Sequence, residues 1–153
     1  MKIRLLIATF IAAGLFCAVK TTLACTCTVP IGKSDQELVD SEKASADVVF
    51  VGRVMKIVKD RDRRGVPKGV YTAVFEASEI WKGKQRKQIR ISQGQCCLCV
   101  MSFSKGKEYL VYAHYDSTNT ILIADMCGRT TETRDPQVKM DRQYLGASIT
   151  TKT

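Results

Sequence analysis

Seven cysteines, at positions 17, 25, 27, 96, 97, 99 and 127 of a 153-residue chain, limit its fold more than any other feature. Disulfides among them would tie together parts of the chain that lie far apart in sequence. Which cysteines are available depends on the N-terminus. Lys2 and Arg4 precede an uncharged apolar run over residues 5–19, shorter than the roughly 20 residues a membrane-crossing helix needs. Lys20 follows, and then Thr22 and Ala24 stand as small residues three and one places before Cys25. A basic start, an apolar middle and small residues at the end describe a secretory signal peptide over 1–24, cleaved between Ala24 and Cys25. The expected compartment is extracellular, or periplasmic in a bacterium. An uncleaved anchor, or lipidation at Leu23-Ala24-Cys25, are the alternatives.

Cleavage leaves a single domain over 25–153 carrying Cys25, Cys27, Cys96, Cys97, Cys99 and Cys127. An even number in an exported chain reads as disulfides before metal thiolates, and the six allow fifteen pairings. The leader removes three of the 24 basic side chains, so 21 face 15 acidic ones and the mature charge is +6. Hydrophobic content of 45% and charged content of 25% match a globular chain and exclude a disordered or fibrous one.

Local patterns then place the elements. Ser34 with Glu37 three residues on forms a capping box for a helix over 35–45. Residues 47–59 are rich in β-branched side chains and read as a long strand, with Gly52 as a bulge inside it. Gly, Pro and charge make 61–69 a loop. Strands follow at 70–81, 87–92, 108–115 and 120–126. Lys82-Gly83-Lys84 turns the chain between the first two of these, and a hairpin over 116–119 joins the last two. The connection over 93–107 carries cysteine and glycine, and 134–145 reads as a helix begun by Asp135-Pro136, with Pro136 at its first position and Gly146 just past its end. Five strands with a helix at each end fit a small closed barrel of the oligonucleotide/oligosaccharide-binding (OB) type. A seven-stranded sandwich fits less well.

No nucleophile elbow, paired carboxylates, phosphate loop or dinucleotide motif is present, and His114 is the one histidine, so no enzyme is expected. Arg61, Arg63, Arg64 and Lys68, with Lys82, Lys84, Arg86 and Lys87, form two basic runs. They read either as solvated loop surface or as a patch for an extracellular polyanion. Tyr71, Phe75, Trp81, Phe103, Tyr109 and Tyr112 alternate as strand core residues do, rather than as stacking platforms for single strands. No specific nucleic acid is therefore expected as a partner.

Four stretches add up to more than their parts. Cys25-Thr26-Cys27 followed by Pro30, Ala46-Asp47-Val48-Val49-Phe50, Gly106-Lys107-Glu108-Tyr109-Leu110-Val111, and Cys127 run in this order along most of the mature chain. This set resembles the N-terminal inhibitory domain of the tissue inhibitors of metalloproteinases, built on the netrin-like version of the five-stranded barrel. The resemblance implies a monomeric inhibitor of zinc metalloproteases, with no cofactor of its own. It implies that the α-amine and carbonyl oxygen of Cys25 chelate the protease's catalytic zinc. Thr26 would enter the specificity pocket, and Cys27, Thr28 and Val29 would continue the contacting ridge. It also implies disulfides Cys25–Cys99 and Cys27–Cys127. Cys96 and Cys97 have no counterpart in that pattern; a vicinal bridge, two free thiols and an intermolecular link are all open. The alternative reading keeps the barrel as an extracellular binding module for a polyanion or protein, without protease inhibition.

Overall fold

The computed structural model describes residues 26–28, 30–61, 67–93 and 99–149, with 60, 61 and 67–70 by backbone alone. Helix α1 (Asp35–Ser45) leads into strands β1 (Val48–Arg61), β2 (Pro67–Lys82), β3 (Gln88–Gln93) and β4 (Glu108–Tyr115). Two short strands, β5 (Leu122–Ile123) and β6 (Thr131–Glu132), precede helix α2 (Pro136–Leu145). The strands bond in the order β1-β2-β3-β5-β4, and β4 pairs back onto β1 to close a five-stranded barrel. All neighbours are antiparallel except β3 and β5. This is the OB-type barrel expected from the strand inventory. β6 pairs with Tyr109 and Leu110 of β4, on the edge that β5 occupies further along.

Closure depends on a sharp bend in β1. Its first half, Val48 to Arg53, pairs with β4, while the whole strand pairs with β2, and the register slips at Val51/Gly52. A Cβ at Gly52 would lie 2.8 Å from the Glu76 carbonyl oxygen and 3.2 Å from the Ala77 Cα. Only glycine lets β2 cross so closely at the bulge.

Two apolar cores result, one on each face of β1 and β4. Inside the barrel, Phe75 meets Phe50, Phe103 and Tyr109 edge-on, with ring centroids 5.3, 5.0 and 6.3 Å away, within the favourable range for such pairs. Val48, Val54, Ile89, Ile91 and Val111 fill the space around them. Outside, Val49, Val51, Leu110 and Tyr112 face Val39 and Ala46 at α1 and Val138 and Leu145 of α2. Trp81 joins this second core, its indole N–H donating to the Gly146 carbonyl (2.8 Å). Because both faces are covered, the apolar residues of β1 and β4 run consecutively instead of alternating.

Both helices begin as their caps dictate. The Ser34 hydroxyl accepts from the Glu37 N–H (3.3 Å), and the Glu37 carboxylate accepts from the Ser34 N–H (2.8 Å). In α2 the Asp135 carboxylate accepts from the Gln137 N–H (2.9 Å), with Pro136 in the first turn and Gly146 closing the end. The helix thus starts at Pro136 with Asp135 as its cap, the start expected within 134–145.

Other expectations need correction. The loop over 61–69 is shorter, because Arg61 pairs with Pro67 and the β1–β2 ladder continues up to that point. Lys68 therefore belongs to β2. The strand expected over 120–126 shrinks to Leu122–Ile123, since Ala124 and Asp125 turn their backbone to the 99–101 segment instead. Two residues of β6 were not foreseen; so short a strand carries no period. Tyr71 is 42% exposed instead of buried, with the Lys59 ammonium 5.8 Å from its ring centroid. The other five aromatic positions named above are buried.

Candidate functional site

The N-terminal tail is held where the barrel's last strand ends. Thr26, Cys27 and Thr28 are exposed, and Cys27 is bonded to Cys127, with Cα atoms 5.1 Å apart. That bridge spans 100 residues of sequence. Cys99 is likewise disulfide-bonded, and its backbone takes a positive φ of 47°. A short antiparallel bridge joins the segments that carry Cys99 and Cys127: the Met126 N–H donates to the Cys99 carbonyl and the Met101 N–H to the Ala124 carbonyl, both at 2.7 Å. Cys99 and Cys127 consequently line one cavity of about 260 Å³, together with Glu42, His114 and Asp125. Cys25, Val29, Cys96, Cys97, Arg63 and Arg64 lie outside the described residues, as do the side chains of Arg61 and Lys68.

The segment after Cys127 is fastened to both helices. Arg129 donates from Nε to both carboxylate oxygens of the buried Asp141 (3.1 Å each), and from Nη2 to the same carboxylate. The Tyr112 hydroxyl donates to Asp141 Oδ2 (3.0 Å), so the buried charge has three donors. Burial, and then the adjacent Asp141 carboxylate, pushes the Tyr112 phenol above its ordinary range. The hydrogen bond to Asp141 raises the Arg129 guanidinium further. Arg129 also reaches Asp35 at the start of α1 (3.4 Å).

Glu42, on the last turns of α1, points at Gly128, where an added Cβ would lie 3.3 Å from its Oε2. Burial raises its carboxyl above the ordinary value, Asp125 adds to that, and the Arg129 backbone N–H opposes it. His114 Nδ1 stands 3.8 Å from Asp125 Oδ2. Among the described residues no three His, Cys, Asp or Glu side chains group as a metal site. Also among the described residues, no helix is long and apolar enough to cross a membrane.

The basic residues named from sequence do not share one setting. Lys82 donates to the carbonyls of Lys43 (2.8 Å) and Ala44 (2.9 Å) at the C-terminal end of α1, a structural cap favoured by the helix dipole. Lys87 lies 3.8 Å from the Glu76 carboxylate. Lys84 and Arg86 are exposed and line a different cavity, at the barrel's end. Sequence reasoning missed Glu42, Arg129 and Asp141, which hold the tail's anchor. Asp and Arg 12 residues apart carry no motif, and only the fold brings them together.

Neither a scan against protein-family models nor a search of the curated proteins finds a match for this chain.

Proposed function

We propose that the mature chain is a secreted inhibitor of zinc metalloendopeptidases, acting through its freed N-terminus. One observation carries the reading. Thr26-Cys27-Thr28 is exposed, yet it is cross-linked into the barrel at Cys127, beside a second half-cystine at Cys99. A contacting ridge fixed before binding avoids the ordering cost that a free tail would carry into the complex.

The chemistry follows from the resemblance to tissue inhibitors of metalloproteinases. Removal of residues 1–24 frees the Cys25 α-amine, whose ordinary pKa of about 7.7–8.0 makes it available to a metal near neutrality. A protease's catalytic zinc keeps one position open, with nitrogen ligands at about 2.0–2.1 Å. The amine would take that position and the Cys25 carbonyl oxygen a fifth, closing a five-membered chelate and displacing the water that performs hydrolysis. A Cys25–Cys99 bridge would hold both donor atoms. Thr26 would fill the specificity pocket, with Thr28 and Val29 along the substrate cleft.

Adding one Ala before Cys25 tests this. The α-amine moves on by one residue (about 3.8 Å), and the Cys25 nitrogen becomes an amide that cannot donate to zinc. Inhibition of a zinc protease panel should vanish while the thermal midpoint stays unchanged. Thr26→Gly should keep the chelate and weaken inhibition roughly ten- to two-hundred-fold, the range for losing a small side chain from a pocket. An extended protein that inhibits as well as the mature one overturns the proposal.

A further inference from the structure

One end of the barrel is plugged and the other is open. At the plugged end Phe103 packs on Phe75 and Tyr109. Its N–H donates to Gln93 Oε1 (3.1 Å), and the Tyr109 hydroxyl accepts from the Ser104 N–H (3.1 Å). At the open end Val48, Ile89 and Leu122, all part of the interior packing, form the floor of a cavity of about 410 Å³. That volume falls in the range of small-molecule sites, about 300–1,000 Å³, and barrel mouths are a common place for them.

The rim of this mouth is cationic. Lys84 and Arg86 come from the β2–β3 turn and Arg90 from β3, and none of the three pairs with a carboxylate among the described residues. Tyr115, 41% exposed at the end of β4, supplies an aromatic wall. The acid that lines the mouth, Asp47, accepts from the Tyr115 backbone N–H (2.8 Å). Asp116 nearby is turned into its own loop, accepting from Thr118, Thr120 and Ile121. Three exposed cations without acidic partners around an apolar floor give the mouth a positive field that favours an anion.

We propose that this mouth binds an acidic oligosaccharide. Its sulfate or carboxylate groups would meet Arg86, Arg90 and Lys84, and one sugar ring would lie with its apolar C–H face on Tyr115 and the floor. Guanidinium forks match the oxygen pairs of such groups. A disulfide-bonded chain belongs in an oxidising compartment, where acidic polysaccharides, rather than nucleotides, are the abundant polyanions. The site shares no residue with the tail and does not depend on the inhibitor reading.

The test is calorimetric titration of the mature chain with a heparin-derived tetrasaccharide at low salt. One-to-one binding is expected, weakening steeply as salt rises. Arg86→Ser with Arg90→Ser should weaken it by about tenfold or more, the effect of losing a charge-assisted hydrogen bond. Tyr115→Ala should weaken it severalfold. Lys105→Ser with Lys139→Ser removes the same charge elsewhere and should leave affinity unchanged, and thermal unfolding of each variant checks that it is folded. The proposal is overturned if the tetrasaccharide does not bind, or if the arginine variant binds within about twofold of the parent. It is equally overturned if the loss follows Arg63→Ser with Arg64→Ser instead, or if ATP or inorganic sulfate binds as tightly.

Discussion

Glu42 shows how one carboxylate can hold a segment in place and still carry a penalty. It accepts the Arg129 N–H that follows the Cys27–Cys127 anchor, but burial and Asp125 both disfavour its charge. Its carboxyl titrates above the ordinary 4.5 in the fold. The folded state therefore gains from this group below pH 4.5, where both states are protonated, and loses that advantage as pH rises through the folded value. Glu42→Gln keeps an acceptor for the Arg129 N–H and removes the titration. The variant should match the parent's thermal midpoint near pH 4.5 and exceed it increasingly toward neutrality. A midpoint gap that stays constant from about pH 4 to about pH 7 would exclude this linkage. Asp141 is the opposite case: it is fully buried, but two donor side chains, Arg129 and Tyr112, surround it and make its charge tolerable.

At the scale of elements, strands and helices are joined by few covalent constraints and many packed faces. The described residues of the tail are exposed, Ile31 included, so burial does little to fix its position and the Cys27–Cys127 bond does more. A bond that closes a loop of this length contributes roughly 4–5 kcal/mol by restricting the unfolded chain. Replacing both cysteines by Ser should lower stability by about that much in urea titrations, while α1 and α2, capped by Ser34 and Asp135, keep their circular-dichroism signal in the native baseline. A loss below about 1 kcal/mol would mean that the unfolded chain is already held together there. The capping box was readable in the sequence because its two hydrogen bonds join residues three apart. The short β5 and β6 were not, because two-residue strands are chosen by the neighbours they pair with.

For the molecule as a whole, the barrel separates two surfaces that its sequence interleaves. The tail anchor sits over the cavity with Glu42, while the basic mouth opens over Val48, Ile89 and Leu122, and the two share no lining residue. His114 and Tyr115 are neighbours on β4 and serve different cavities because successive side chains of a strand point to opposite faces. If the sites act independently, the one-Ala extension proposed as the test of inhibition should leave tetrasaccharide affinity within about twofold, as for uncoupled positions. A larger change in the same calorimetric titration would show that tail and mouth communicate through α1 or β4.

The kinds of element and many of their limits are legible in short stretches of the chain. The caps at Ser34 and Asp135, the branched residues of β1, the bulge at Gly52 and the whole of β4 are written in residues a few positions apart, and such interactions act within any segment that contains them. The remaining features come from long-range packing. It closed β1 onto β4, set β3 parallel to β5, and moved Lys82 from a supposed patch to the end of α1. It also gathered Arg86, Arg90 and Tyr115 around one mouth, and Tyr112, Arg129 and Asp141 around one charge. Each of these joins residues far apart in the chain. Such contacts must outweigh the entropy of closing the intervening loop, and only the packing of the complete barrel against its two helices supplies that free energy.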